Sequence, residues 1–158
     1  KAMQRKQQTL LSRQVILPVN AASLVGELEI PVAATGLVLF AHGSGGSRHS
    51  PRNRHVAKII RDAGVGTLLF DLLTSAEEKI DQQTRHLRFD IPLLAHRLAG
   101  ATAWVKRQPE TRHLRVGYFG ASTGAGAALI AAAMLKDEVG AWFRAVAAPI
   151  WPVKRCRM

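Results

Sequence analysis

The sequence predicts an α/β protein: a doubly wound, mostly parallel sheet with an N-terminal β-hairpin. Three observations carry this. Short, continuous apolar runs alternate with longer stretches of helical periodicity, the rhythm of strand–helix–strand units. Two glycine-rich loops, "AHGSGGSRHS" and "GASTGAGAA", each follow a strand and open a helix. Ahead of these, "RQVILPVNAASLVGELEIP" reads as two strands around an Asn-Ala-Ala-Ser turn, adding antiparallel strands at one edge.

Residues 1–12 form a polar lead-in, 13–148 a partial α/β domain, and 149–158 a tail of different composition. Within the domain, "TGLVLFAHG" is a strand buried on both faces. "SPRNRHVAKIIRDAG" is a helix, capped by Ser50, with Pro51 in its first turn and Gly64 at its end. Its expected apolar stripe is Val56, Ile59, Ile60 and Ala63. "VGTLLFD" is a second buried strand. After a charged connection, Ile91, Leu94, Leu98, Ala101 and Val105 step by three and four through a second helix, which Pro109 follows. "LRVGYFG" is a third buried strand and "TGAGAALIAAAMLK" an alanine-rich helix. "WFRAVAAPI" opens a fourth core strand.

Composition narrows the function. Lys and Arg total 22 against 11 acids, a net charge of +11. The arginines are scattered, and the single Tyr118 lies in an apolar strand. A basic surface interleaved with aromatic stacking platforms is therefore not indicated, and no nucleic-acid partner is expected. The single Cys156 excludes an internal disulfide framework and fits a reducing, cytoplasmic setting. The longest apolar run, Ala125 to Leu135, is well short of the ~18 residues of a membrane span, so no membrane partner is expected.

The glycine loops invite a nucleotide reading, but neither fits a phosphate or dinucleotide fingerprint. Gly43-Ser44-Gly45 would need glycine where Arg48 stands, and Gly124-Ala125-Gly126 would need it where Leu129 stands. A serine-nucleophile reading explains both loops. Gly120-Ala121-Ser122-Thr123-Gly124 is a G-x-S-x-G pattern between an apolar strand and a helix, the context of a nucleophile elbow. Gly120 and Gly124 let the turn pack around a strained serine, and Gly126 lets the helix approach the sheet. Two backbone N–H groups are needed as an oxyanion hole: that of Thr123, and one from the upstream His42-Gly43-Ser44-Gly45-Gly46 loop, expected from Ser44. The competing reading is that Ser122 simply caps the alanine helix.

"LVLFAHGSGGSRHSPRNRHVA", "GTLLFDLLT", "LRFDIPLLAHRL" and "VGYFGASTGAGAAL" together resemble the N-terminal part of an α/β-hydrolase, nearest the dienelactone hydrolase-like serine hydrolases of bacteria. The similarity runs from about Gln14 to Val146. The resemblance implies a Ser-Asp-His triad, a small-molecule ester-like or acyl substrate, no metal and no organic cofactor. Enzymes acting on dienelactone itself carry cysteine at the elbow, where this chain has Ser122. Relatives joined to a phosphoribosyltransferase domain imply a possible fused or neighbouring domain of that kind.

Ser122 is thus the candidate nucleophile, but the family order places acid and histidine after the serine, and no histidine follows His113. Asp137 and Glu138 are the only acids after Ser122, at a helix end. Asp71 precedes the serine and is expected to tie loops near the elbow, with His42 ordering its own loop. The remaining histidines lack metal-ligand spacing, and Trp104 and Trp142 are expected in the core. The chain by itself is therefore expected to be inactive; a non-catalytic binding relative is the alternative. The break in composition at "PIWPVKRCRM" suggests a shifted reading frame, with a tail that packs poorly.

Overall fold

The computed structural model describes residues 10–145, and side-chain surroundings for 11–140. Six strands form one sheet in the order β1-β2-β4-β3-β5-β6. β1 (Leu10–Val19) and β2 (Ala22–Pro31) pair antiparallel along their whole lengths. The two-residue turn is Asn20-Ala21, and Asn20 takes φ 52°, a left-handed conformation that asparagine tolerates better than most residues. β1 therefore takes in residues 10–12. β2 joins β4 (Gly66–Phe70) antiparallel, and β4, β3 (Gly36–Ala41), β5 (Arg115–Ala121) and β6 (Val139–Ala145) run parallel. The doubly wound sheet with its hairpin edge is thus as expected.

Helices cover both faces, because the parallel strands are apolar on both. On one face α1 (Pro51–Asp62) meets Val38, Phe40 and Leu69. The inward positions of α1 are Asn53, Val56, Ala57 and Ile60; Ile59 is 55% exposed and Ala63 faces out, so Asn53 and Ala57 take the places expected for Ile59 and Ala63. Ser50 accepts from the Asn53 amide, and Pro51 opens the helix. On the other face α3 (Ile91–Arg107) and α4 (Thr123–Leu135) bury Leu94, Leu98, Ala101, Trp104, Val105, Ala127, Ala128 and Ala131 against the sheet. Tyr118 is fully buried there, its hydroxyl 2.6 Å from Thr102 Oγ1, and burial pushes its pKa up to about 12.

Three expectations need correction. The charged connection contains a helix, α2 (Ser75–Thr84), opened by a capping box in which Thr74 and Glu77 bond each other's amides. β6 starts at Val139, three residues ahead of Trp142, after a 3₁₀ turn at Lys136–Glu138. Gly126 makes room for Ile91 of α3 rather than for the sheet. The Trp142 side chain and residues 149–158 lie outside the described residues. Among the described residues no helix is long and apolar enough to cross a membrane.

The topology selects one location. From β3 the chain crosses to β4 on one side and later to β5 on the other, so strand order reverses between β3 and β5. Crevices at such switch points, outside the carboxyl ends of the strands, are where ligands bind in open α/β sheets. Both glycine loops leave these two adjacent strands there.

Candidate active site

At the end of β5 the backbone makes one abrupt turn. Ser122 has φ 54° and ψ −125°, outside the ordinary regions for a residue with a side chain. Its carbonyl accepts from the Ala125 amide at 3.0 Å, but its side chain makes no capping bond. Ser122 is exposed. A serine serving as a cap would lie in the extended region with its hydroxyl turned back onto the helix.

The turn is tight on every side. A Cβ on Gly120 would stand 2.6 Å from the Gly124 carbonyl oxygen and 2.8 Å from Ala125 Cα. One on Gly124 would strike the Ala41 carbonyl oxygen and stand 2.6 Å from that of His42. One on Gly43 would lie 2.9 Å from the Ala121 oxygen and 3.0 Å from Ser122 Cβ. These glycines serve close approach, and they seat the β3 loop directly against the serine.

That loop is itself a turn. The Gly46 amide donates to the Gly43 carbonyl at 2.9 Å, and Gly45 at the third position has φ 73°, as a type II turn requires. Ser44 occupies the second position, so its amide takes no part in the turn's hydrogen bond. The Thr123 amide, first in α4, has no partner within the helix. Both belong to the two loops that meet at Ser122, and the helix dipole adds positive character there.

His42 orders this loop. The Leu72 amide donates to its Nε2 at 3.0 Å, which leaves the proton on Nδ1, 3.1 Å from the Gly43 carbonyl. Both ring nitrogens are engaged by backbone. Asp71 accepts from the Arg48 amide at 2.8 Å and from the Arg48 guanidinium, tying the end of β4 to the far end of the glycine loop. Asp137 and Glu138 are exposed in the turn before β6. Among the described residues no three His, Cys, Asp or Glu side chains gather as a metal site.

A cleft opens beside the turn, lined by residues 42–47, Asp71, Leu73, Leu94 and Thr123 together with Glu78, Asp81, Gln82 and Arg88. Sequence reading missed the last four of these. Asp81 of α2 is 2% exposed. It accepts from the Arg88 amide at 3.0 Å and Nε at 2.6 Å. Burial pushes its carboxyl up, but these bonds and the Arg88 charge outweigh that and hold it below the usual range. Only the Thr74-x-x-Glu77 capping signal announced the helix that carries it. The structure therefore brings Ser122, Thr123, Gly120, Gly124, Ser44, Gly43, His42 and Asp71 to one place. His49 lies on the same loop as Ser44 but turns to Ser47 and Arg54, and His55, His86, His96 and His113 lie on other elements.

This arrangement is the α/β-hydrolase fold, and the solved structures it resembles are hydrolases and esterases of that fold. The chain is 58% identical to a dienelactone hydrolase from Anabaena variabilis, with a TM-score of 0.84 over 85% of this chain and 62% of that one. That likeness extends to the sequence and not to the fold alone. A cold-adapted esterase from an Arctic intertidal metagenomic library matches at 19% identity and TM-score 0.67, a likeness of fold alone. Mycobacterium tuberculosis proteins provisionally named phosphoribosyl transferases are 53% identical over 124 residues. These cover 78% of this chain, which spans only 27% of their length. No protein-family model matches.

Proposed function

We propose that the cleft is the acyl-binding site of a serine hydrolase acting on ester-like small molecules. Ser122 is the nucleophile, and the Ser44 and Thr123 amides are the oxyanion donors. The observation that carries this reading is the strained, exposed, uncapped Ser122 with Gly43 pressed against it. Attack would form a bond from Ser122 Oγ to the substrate carbonyl carbon. The carbonyl electron pair would move onto oxygen, toward the two amides, while the serine proton passes to a base. His42 is unsuited to that role because backbone engages both its nitrogens.

Within residues 1–158 no histidine follows His113, so this stretch taken by itself is expected to be a poor esterase. In a serine protease stripped of its triad, roughly 10³- to 10⁴-fold over water survives. Purified chain should hydrolyse p-nitrophenyl acetate barely above buffer, and Ser122→Ala should change this little. Robust turnover abolished by Ser122→Ala would restore full catalysis to this chain. Against the hydrolase reading stands a second, ligand binding without turnover in the same cleft. Phenylboronic acid distinguishes the two. An adduct at Ser122, with the hydroxyl proton released to buffer and boron turned tetrahedral, supports the nucleophile; acyl-amide binding indifferent to Ser122→Ala supports the binder. The Mycobacterium relatives suggest that longer proteins combine this unit with a phosphoribosyltransferase.

A further inference from the structure

Among the described residues, the buried threonines Thr67, Thr102 and Thr111 all have partners for their hydroxyls. Thr67 accepts from Arg61, Thr102 bonds the Leu98 carbonyl and the Tyr118 hydroxyl, and Thr111 donates to the Val105 carbonyl. Thr123 differs. Its Oγ1 is closed off from solvent and has no hydrogen-bond partner among the described residues. Placement explains the lack. Thr102 bonds the carbonyl four residues back along its own helix, as helical threonines commonly do. Thr123 opens α4, and the residue four back, Phe119, belongs to β5. A hydroxyl buried without a partner destabilises the chain that carries it. One kept directly after a candidate nucleophile points to a partner that arrives with the ligand.

Covalent geometry says where that partner sits. In any staggered rotamer a threonine Oγ1 lies about 3–4 Å from the nitrogen of its own residue. The Thr123 hydroxyl is therefore tied to the same amide that stands beside Ser122. The residue is half-buried and lines the cleft. One rotamer step about the Cα–Cβ bond turns the hydroxyl from its unpartnered place and sets the methyl group there, where no polar partner is needed. We propose that Thr123 donates twice to the oxyanion, through its amide and through its hydroxyl, beside the Ser44 amide. This rests on the hydrolase reading of the cleft. A donor so placed strengthens as charge develops on the substrate oxygen, which is the interaction that favours reaction over mere binding. A hydroxyl that only helped to open α4 would matter to folding and not to the charge on the ligand.

Phenylboronic acid separates these cases, because its tetrahedral adduct carries the negative charge that a planar carbonyl lacks. Ser122 Oγ bonds to boron, the hydroxyl proton goes to buffer, and a boron-bound oxygen stands where the oxyanion would. On the full chain, Thr123→Val removes the hydroxyl and keeps the shape. Its Tm should hold or rise by about 2 °C, since a buried unpaired group is gone. Its affinity for phenylboronic acid should fall about tenfold, less than the loss in kcat when an enzyme gives up one oxyanion donor. Thr123→Ser, which keeps the hydroxyl, should bind like the wild type. Benzamide, whose carbonyl stays planar, should lose less than the boronic acid in Thr123→Val. Equal phenylboronic acid affinity in wild type and Thr123→Val, or a lower Tm on losing the hydroxyl, would overturn the proposal. Boron NMR tells its failure from that of the hydrolase reading. Boron that stays trigonal with the wild type removes both, whereas tetrahedral boron at the same affinity in both chains removes the hydroxyl's role alone.

Discussion

The elbow and the rim border one cleft, through Thr123 and Gly43 on the one hand and Asp81 and Arg88 on the other, and they are built by opposite means. Around Ser122 the structure excludes side chains: Gly120, Gly124 and Gly43 let three backbones touch. In the rim, α2 has a single buried residue, the charged Asp81, and it is held by Glu77–Arg97 and Asp81–Arg88 ion pairs. The elbow is therefore set by steric fit, which is insensitive to pH and salt. The rim is set by charge, which is sensitive to both. On the proposed hydrolase reading, the fixed elbow is what a nucleophile and its oxyanion donors require.

The sharpest break of this contrast is Gly124→Ala. The new methyl has only backbone carbonyls of Ala41 and His42 to meet, and neither can swing aside as a side chain could. A loss of about 3 kcal/mol or more is expected, at the upper end of overpacking effects, with chain recovered unfolded or with a much lower Tm. Gly124→Ala tolerated within 1 kcal/mol, a level typical of substitutions that meet no obstacle, would show that the elbow is not sterically fixed.

Glu77→Ala tests the other side. Arg97 is 8% exposed, and Glu77 accepts from its Nη2 at 2.6 Å and Nη1 at 3.2 Å. Removing the carboxylate leaves a largely buried guanidinium unpaired and removes half of the capping box. About 2 kcal/mol is expected, below the range for fully buried pairs because Glu77 is partly exposed. Chemical denaturation measures it. Arg97→Met with Glu77→Gln should recover part of the loss, since the unpaired charge is gone.

The two regions also differ in how legible they are. The elbow can be read from sequence because its requirements are local: glycines at fixed offsets from a serine, between an apolar strand and a helix. The strands follow from the apolar runs for the same reason, whereas their order, which sets the two loops side by side, comes from the folded chain. The rim is not legible that way. α2 has almost no apolar stripe, and its partners lie 7 and 20 residues away, at Arg88 and Arg97. Nothing in the spacing says which arginine meets which acid. Among the described residues Arg13, Arg48, Arg54, Arg61, Arg88 and Arg97 pair with acids, and only the folded chain shows it. The shift of α1's buried face from Ile59 to Ala57 has a similar cause. Close packing over Phe40 and Leu69 accepts a small residue where periodicity alone prefers a large one.

Ser122→Gly sharpens the elbow side with a smaller effect of opposite sign. A strained φ/ψ pair costs about 1–3 kcal/mol, and glycine relieves it while losing about 0.5–1 kcal/mol in chain entropy. A net stabilisation near 1 kcal/mol is expected. Ser122→Ala keeps the backbone strain and should be near neutral, whereas loss of a helix cap would cost about 1 kcal/mol. Destabilisation by both variants would mean that the hydroxyl holds the helix and that the strain reading is wrong.

The smallest effect is the pH response of the rim. Burial pushes the Glu77 carboxyl up, but the Thr74 amide, the bonds and charge of Arg97, and the Thr74 hydroxyl outweigh that and hold it below the usual carboxylate range. A carboxyl with a lowered folded pKa binds protons less readily than in the unfolded chain. Its contribution is therefore fully present above the unfolded value and is lost as pH falls through the lower folded one. Asp81 shifts in the same direction, so both clasps weaken together in acid. Unfolding free energy should be flat near neutrality on their account and decline below about pH 4.5, the region where unfolded carboxyls titrate. Glu77→Gln should remove part of that decline, and Glu77→Gln with Asp81→Asn more of it, because an amide does not titrate. Gly43→Ala, at the sterically fixed elbow, should lower stability by a similar amount at every pH. An acid decline equally steep in the wild type and the double amide variant would place the pH sensitivity elsewhere and dissolve the contrast between the two regions.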